Sequence, residues 1–386
     1  MELYYKDPYL KEIDVEIVSK DNEFLEFDKT IIFPGGGGQP PDKGILIGKD
    51  FKVKILFSKK LDGKILHKYE LIEGKLNDNK GKLILDWERR YKLMKMHTGE
   101  HILYRSLENL FNVKFQKVIF DENESSLFIM GSIKMDDVFE AEKFANEIIK
   151  KNLPVKEHYE NISDINENEI RMKRDRIKEK NVRIIEIEGF DKSACSGIHV
   201  KNTNEIEYII VKSIKSGDFT EIKFLTGESA LKYIYENSKI IRNIENKYKL
   251  DHNIIEKKLN QMIQENEKLK KSLYELSSTM FNFNKANKNG RLIYYSNFPY
   301  GDINGIEKLG RKIMENENSV VIYGNEIEGK IFLLSKDPKD IEFIKSVMEK
   351  YKLRGGGSKN YFIISIENAN FKTIYDEILS FFISWF

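Results

Sequence analysis

Residues 88–111, ERRYKLMKMHTGEHILYRSLENLF, are where the pattern of this chain changes. Upstream, apolar residues tend to alternate. Here they fall at Leu93, Met96, Ile102, Leu103 and Leu107, one stripe at helical spacing. The stretch therefore predicts a helix with one buried face, following a β-rich segment. On that helix His97 and His101 stand four apart, so both imidazoles leave the same side. The spacing suits two ligands on one metal ion; it also suits two surface histidines.

Working back from this helix, residues 15–33 (VEIVSKDNEFLEFDKTIIF) read as strands about a turn at Lys20 to Asn22. Residues 51–71 (FKVKILFSKKLDGKILHKYEL) read as a hairpin turning at Asp62-Gly63. A small β-barrel-like domain over 1–87 is expected. It contains FPGGGGQPPDKG, residues 33–44, whose glycines allow positive φ and close approach to a ligand. A mobile turn is the plainer reading.

Working forward, residues 118–135 read as strand and 137–153 as a helix stopped by Pro154. Residues 183–190 and 205–225 read as strands, so an α+β domain is expected over 88–226. Residues 227–289 read as a helical spacer, broken near Lys249 to Asn253. Its second half carries Ile255, Leu259, Met262, Asn266, Leu269, Leu273, Leu276 and Met280, an a/d seam with one polar position. The seam fits an intermolecular coiled coil or packing on the preceding helix. Residues 290–386 read as an α/β unit with strands at 292–298, 319–325, 330–336 and 360–366. A glycine loop, Arg354-Gly355-Gly356-Gly357-Ser358-Lys359, precedes the last of these strands, and the apolar tail 378–386 reads as a closing helix or strand.

The 386 residues are 40% hydrophobic, enough for a packed core. Basic and acidic side chains number 64 and 62, leaving a net charge of +2, so any nucleic-acid footprint must be local. The single cysteine excludes a disulfide framework and fits a reducing cytoplasm. No signal-peptide core opens the chain, and no run nears the ~18 uninterrupted apolar residues of a membrane span. A cytoplasmic protein with no membrane partner is expected.

The one cysteine lies in a second pair, Cys195-Ser196-Gly197-Ile198-His199, where Gly197 allows a turn. The two pairs take the only cysteine and three of six histidines; His67, His158 and His252 stand alone. One soft thiolate and three imidazoles compose a set that tetrahedral zinc accepts. Residues 171–183 hold seven basic and two acidic residues, including Arg171, Lys173 and Arg174. Such a run suits either a phosphate backbone or a solvated helix face.

The glycine-rich stretch, the His97 pair and the Cys195 pair, in that order, resemble the editing module of alanyl-tRNA synthetase and most of all its freestanding AlaX relatives. The Gly355-Gly356-Gly357 segment resembles the DHHA1 domain that ends the synthetase. The resemblance implies a zinc-dependent hydrolase that cleaves the ester of tRNA(Ala) mischarged with serine or glycine. Because no aminoacylation domain precedes the β-rich segment, it also implies no synthesis of alanyl-tRNA. Zinc held by His97, His101, Cys195 and His199 would polarise the ester, activate water or order the pocket. Glu100 and Thr98 beside the first pair are candidate catalytic groups, as are Gln116 and Ser126 on the next segment. An exposed glutamate, a helix-surface threonine and a solvent-facing strand serine are the structural alternatives. Gly36, Gly37, Gly38, Gln39 and Asp42 are expected to meet the tRNA end, and Arg171, Lys173 and Arg174 the acceptor stem. Arg354, Gly355, Gly356, Gly357 and Lys359 are expected at the tRNA elbow, and the spacer or last domain at a homodimer interface.

Three departures stand out. Gly35 replaces the family's usual acidic residue. Ser196 and Ile198 replace Gly and Thr, which leaves the turn's conformation open. The glycine run after Gly357 is missing, which weakens the elbow assignment. Asp251-His252-Asn253 resembles a phosphoesterase tripeptide, but it falls in a helix connection. A zinc-stabilised tRNA-binding protein without catalysis, or an editor of another tRNA, are the rival readings.

Overall fold

The alternating N-terminal residues close into a six-stranded barrel. The computed structural model describes residues 2–383, apart from residues 123, 167, 168, 173, 175, 176, 178, 317, 359 and 367–369. After a short helix, α1 (Leu3–Lys6), come β1 (Glu12–Lys20), β2 (Phe24–Phe27), β3 (Gly44–Gly48), β4 (Phe51–Leu61), β5 (Lys64–Gly74) and β6 (Lys80–Leu85). They are ordered β1-β2-β5-β4-β3-β6, and β1 pairs with β6 to close the ring. Val15, Ile17, Leu25, Leu46, Val53, Ile55 and Leu83 fill the barrel. The β4–β5 hairpin turns at Asp62 and Gly63, both at positive φ (49° and 78°), as a two-residue turn demands. Strand β6 is weakly marked in the sequence, since Lys80, Gly81 and Lys82 open it.

Helix α2 (Trp87–Phe111) starts where the Asp86 side chain accepts a hydrogen bond from the Arg89 amide (3.2 Å). It ends at Asn112, in the left-handed conformation. Its middle turns are buried nearly all round. One side packs on α3 (Met135–Lys150) through Leu103, Leu107, Ala141, Ala145 and Ile148. Beside it lies a four-stranded sheet ordered β12-β13-β8-β7, from β7 (Lys114–Ile119), β8 (Ser125–Met130), β12 (Ile209–Lys215) and β13 (Thr220–Thr226). A three-stranded sheet, β11-β10-β9, comes from β9 (Val155–Asn161), β10 (Asn181–Ile187) and β11 (Asp191–Ala194). The strand expected over 118–135 is instead the second half of a β7–β8 hairpin and the approach to α3.

The chain forms two compact units, Met1–Asn243 and Ile244–Phe386, and the boundary falls inside α4 (Gly227–Tyr248). In the second unit α5 (His252–Thr279) leads into a six-stranded sheet. Its strands are β14 (Asn284–Lys288), β15 (Arg291–Asn297), β16 (Ser319–Asn325), β17 (Lys330–Leu334), β18 (Arg354–Ser358) and β19 (Tyr361–Ser365), ordered β14-β15-β16-β17-β19-β18. Alternation divides the two faces. Ile322, Leu333 and Ile364 pack with α7 (Pro338–Tyr351) and α8 (Phe371–Ile383), while Val321, Tyr323 and Phe332 pack with α6 (Ile303–Asn316).

One expectation is corrected in this unit. The glycine loop 354–359 is an edge strand as far as Ser358, paired antiparallel with β19. Side chains at Gly355 and Gly357 would meet the Ile363 and Tyr361 carbonyls (2.5 and 1.9 Å), so both positions accommodate the close approach of the partner strand. The apolar tail is helical through Ile383; residues 384–386 lie outside the described residues. The seam residues Leu259, Met262, Leu269, Leu273 and Leu276 on α5, and Met280 just past its end, are all exposed. Among the described residues, no helix is long and apolar enough to cross a membrane.

Candidate metal centre

Four donors converge where α2 meets the turn after β11. One ligand atom each from His97, His101, Cys195 and His199 lies within 4.8 Å of the others. The three histidines are buried, with exposures of 1%, 3% and 5%. Gly197 permits this: a Cβ there would sit 1.9 Å from the His97 ring. Gly37, at φ 59°, approaches from the barrel side, where a Cβ would come within 3.4 Å of the Cys195 sulfur.

Each imidazole is oriented through its Nδ1. His97 Nδ1 meets Gln39 Oε1 (3.0 Å), and the Ile198 amide donates to the same oxygen (3.0 Å), which fixes the amide's orientation. His101 Nδ1 meets Asp191 Oδ2 (3.1 Å) and Ser193 Oγ (2.9 Å). His199 Nδ1 meets Thr98 Oγ1 (3.1 Å), whose own proton goes to the Met94 carbonyl (3.0 Å). Gln39 Oε1, Asp191 and Thr98 Oγ1 can only accept, so each Nδ1 carries the proton. Each Nε2 is then turned toward one point, where a ring that is neutral offers a lone pair to a metal ion. His199 Nε2 is buried and has no hydrogen-bond partner, as a metal ligand requires.

The electrostatics follow this geometry. Burial opposes ionisation of the Cys195 thiol, but the charge of His97 and hydrogen bonds from the imidazoles hold it well below the usual thiol range. Burial, with His97 next to it, pushes His199 down. Burial and Arg171 oppose protonation of His101, yet Asp191 and Cys195 outweigh them and raise it to about 9. Burial raises Asp191 and Arg171 lowers it, and the balance falls below the usual carboxylate range. A thiolate and three imidazoles are a donor set that zinc accepts.

His97, His101 and Cys195 line a cavity of about 730 Å³, walled also by Gly37, Gly38, Glu100, Tyr104, Phe115, Lys117 and Arg171 among others. Glu100 is buried: Arg171 donates to its Oε1 (3.3 Å), and its Oε2 lies 3.8 Å from His101 Nε2.

Several expected residues sit elsewhere. Arg171 is no solvent-facing grip: with 14% of its side chain exposed, it lies in the cavity wall, paired with Glu100 and with Asp191 (3.4 Å) and stacked on Tyr104 (4.6 Å). Thr98 lies behind His199, not on the helix surface. Ser126 is absent from the wall and donates to Glu221 Oε1 (2.8 Å). Gln116 is a β7 residue between the lining residues Phe115 and Lys117, and is not itself in the wall. Asp42 is buried against Arg90 and accepts the Phe33 amide (2.8 Å), so it braces the glycine loop from within. Gln39 orients His97. A Cβ at Gly36 would meet the Ser196 hydroxyl oxygen (2.9 Å), whereas Gly37 and Gly38 line the cavity. Arg174 is exposed; Lys173 and Lys359 lie outside the described residues. Arg354 and Gly355 to Gly357 are exposed on the sheet edge of the second unit.

Sequence reasoning missed Asp191 and Ser193. Alternation along β11 puts both on the buried side, in step with Cys195, and that register was the signal available.

Residues 182–218 match the family model described as the threonyl and alanyl tRNA synthetase second additional domain. The alanyl-tRNA editing protein AlaX-L of Pyrococcus horikoshii is 30% identical, over 93% of this chain and 92% of its own length. The chain belongs to the alanyl-tRNA editing protein family. AlaX-M of Methanosarcina barkeri is 32% identical over 58% of this chain and 97% of its own length. An alanine–tRNA ligase of Ignicoccus hospitalis is 25% identical over 93% of this chain, which spans only 40% of that ligase. The family model's match includes Cys195 and His199 of the candidate metal centre, while His97 and His101 arrive from α2, outside it.

Proposed function

We propose that this chain is a trans-editing deacylase. It hydrolyses the ester of Ser-tRNA(Ala), with Gly-tRNA(Ala) as second substrate, and depends on zinc. The observation that carries the reading is the convergence of three imidazoles and one cysteine sulfur, three of the four donors lining a cavity. His97, His101, Cys195 and His199 would hold the ion. Bound there, zinc supplies positive charge that favours the ester's developing oxyanion or lowers the pKa of water.

The chain's own groups do the rest. Glu100, buried at the cavity wall and held by Arg171, would take a proton from an attacking water. The backbone of Gly37 and Gly38 gives the tRNA terminus a side-chain-free approach. A small synthetic pocket discriminates serine from alanine by only a few kcal/mol, which is why hydrolytic proofreading is worth having. The exposed edge strand with Arg354 is the candidate elbow contact, and the α5 stripe a candidate homodimer seam. The cytoplasm, where charged tRNA circulates, is the place for this activity.

A deacylation time course with Ser-, Gly- and Ala-charged tRNA(Ala), with and without a zinc chelator, tests the reading. The expected result is rapid, chelator-sensitive loss of seryl ester, slower loss of glycyl ester, and spared alanyl ester. Retained tRNA binding without hydrolysis would reject it. One observation favours a second reading: four protein donors make a closed zinc site, the usual structural kind. Chelation that unfolds the protein, seen by circular dichroism, would move the conclusion to a zinc-stabilised tRNA-binding module.

A further inference from the structure

The turn that carries Cys195 is gripped from behind by two residues that touch no ligand atom. Arg183, on β10, donates through Nη1 to the carbonyls of Cys195 (2.9 Å) and Gly197 (2.7 Å). Tyr5, on α1, donates its hydroxyl to the carbonyl between them, that of Ser196 (2.7 Å), across 191 residues of sequence. The two are coupled, since the Arg183 guanidinium lies 4.5 Å from the centre of the Tyr5 ring. Glu157 on the neighbouring strand accepts from Arg183 Nε (2.9 Å), so the guanidinium cannot swing. Only 8% of the Arg183 side chain is exposed.

With three successive carbonyls engaged, nearby amides serve the centre. Gly197 N–H donates to the Cys195 sulfur (3.4 Å), Ile198 N–H to Gln39 Oε1 (3.0 Å) and Val200 N–H to Thr98 Oγ1 (3.2 Å). The first stabilises a thiolate. The other two hold the acceptors that orient His97 and His199. A freed turn could rotate a carbonyl dipole toward the sulfur, where it would repel the thiolate, and would loosen both acceptors. Sequence spacing gives no hint of this arrangement, because the two gripping residues come from a different strand and from the N-terminal helix.

We propose that Tyr5 and Arg183 are positioning residues that clamp the metal-binding turn, Arg183 through the outer carbonyls and Tyr5 through the middle one. The inference rests on the metal reading of the four donors. Two variants test it: Tyr5→Phe removes one hydroxyl, and Arg183→Lys keeps the charge but loses the fork. Two probes read the full-length protein. One is Zn²⁺ affinity by competition with a chromophoric chelator, with the Co²⁺–thiolate charge-transfer band as spectroscopic signature. The other is the rate at which iodoacetamide alkylates the metal-free protein, which reports one site because Cys195 is the only cysteine.

The expected result is zinc binding weaker by ~10-fold for Tyr5→Phe and by up to ~100-fold for Arg183→Lys. The Co²⁺ band should shift, and Cys195 should be alkylated several-fold more slowly in both, because a freed turn no longer stabilises the reactive thiolate. Unchanged zinc affinity and unchanged alkylation, in variants whose melting temperature matches the parent, would overturn the clamp. A parent protein that takes up no zinc would sink the metal reading instead, and the alkylation rates would still decide the clamp. If Arg183→Lys does not fold, Tyr5→Phe decides by the same two readouts.

Discussion

Asp191 is the residue on which most of the buried charge turns. Its two oxygens serve His101 Nδ1 (3.1 Å), Arg105 Nε (2.9 Å) and Arg171 Nη2 (3.4 Å). A carboxylate behind a ligating imidazole sets the tautomer and raises the ring's basicity, and losing such a partner costs ~10–100-fold in metal affinity. Asp191→Asn should therefore release zinc to a chelator more readily by about that factor. It also leaves Arg171 with Glu100 as its remaining buried acidic partner, so a slower deacylation rate at saturating metal is expected. Stopped-flow chelator competition and a metal titration of kcat separate the two effects; parent-like behaviour in both would remove Asp191 from the centre.

At the scale of elements, the barrel carries a pH response of its own. His67 on β5 is buried, its Nδ1 donating to the Leu25 carbonyl (3.2 Å) and its Nε2 meeting Thr30 Oγ1 (3.0 Å). Both contacts suit a neutral ring, and burial lowers its pKa from 6.5 to about 4 against the pull of the Leu25 carbonyl. The folded value lies below the unfolded one, so the unfolded chain binds the proton first. The contribution is complete above pH 6.5 and is lost as pH falls toward 4. A shift of this size corresponds to about 3 kcal/mol across that window. Urea melts at stepped pH should show His67→Gln with a shallower loss of stability between those limits than the parent. Parallel slopes would contradict the buried neutral ring.

At the scale of the whole molecule, every donor of the metal centre lies in the unit Met1–Asn243, and the edge strand with Arg354 in the unit Ile244–Phe386. The Methanosarcina AlaX-M relative matches 58% of this chain along nearly all of its own length, which is the proportion expected of a protein with the first unit alone. A chain ending at Asn243 should keep the maximal deacylation rate and lose tRNA affinity by about tenfold, some 1.4 kcal/mol. A changed maximal rate with unchanged KM would reverse that division of labour. Leu269→Asp with Leu273→Asp on the exposed α5 stripe should lower the sedimenting mass to one chain if the seam pairs two copies. An unchanged mass would leave that stripe without a role in assembly.

Periodicity and composition by themselves determined a good deal here. The α2 helix, the β4–β5 hairpin, the break between α4 and α5 and the four donors of the centre are all legible, because each rests on neighbours three or four residues apart or on the single cysteine. The weakly patterned strand β6, the recasting of a glycine loop as edge strand β18, and the pairing of Arg171 within the cavity wall were not legible. Those depend on partners far along the chain: the Tyr361 and Ile363 carbonyls behind the glycines, and Glu100 and Asp191 around the guanidinium. Only the tertiary structure could turn Gln39, Thr98 and Asp191 into the three acceptors behind three imidazoles. Hydrogen bonding is settled by distance in space, and sequence separation carries no record of it.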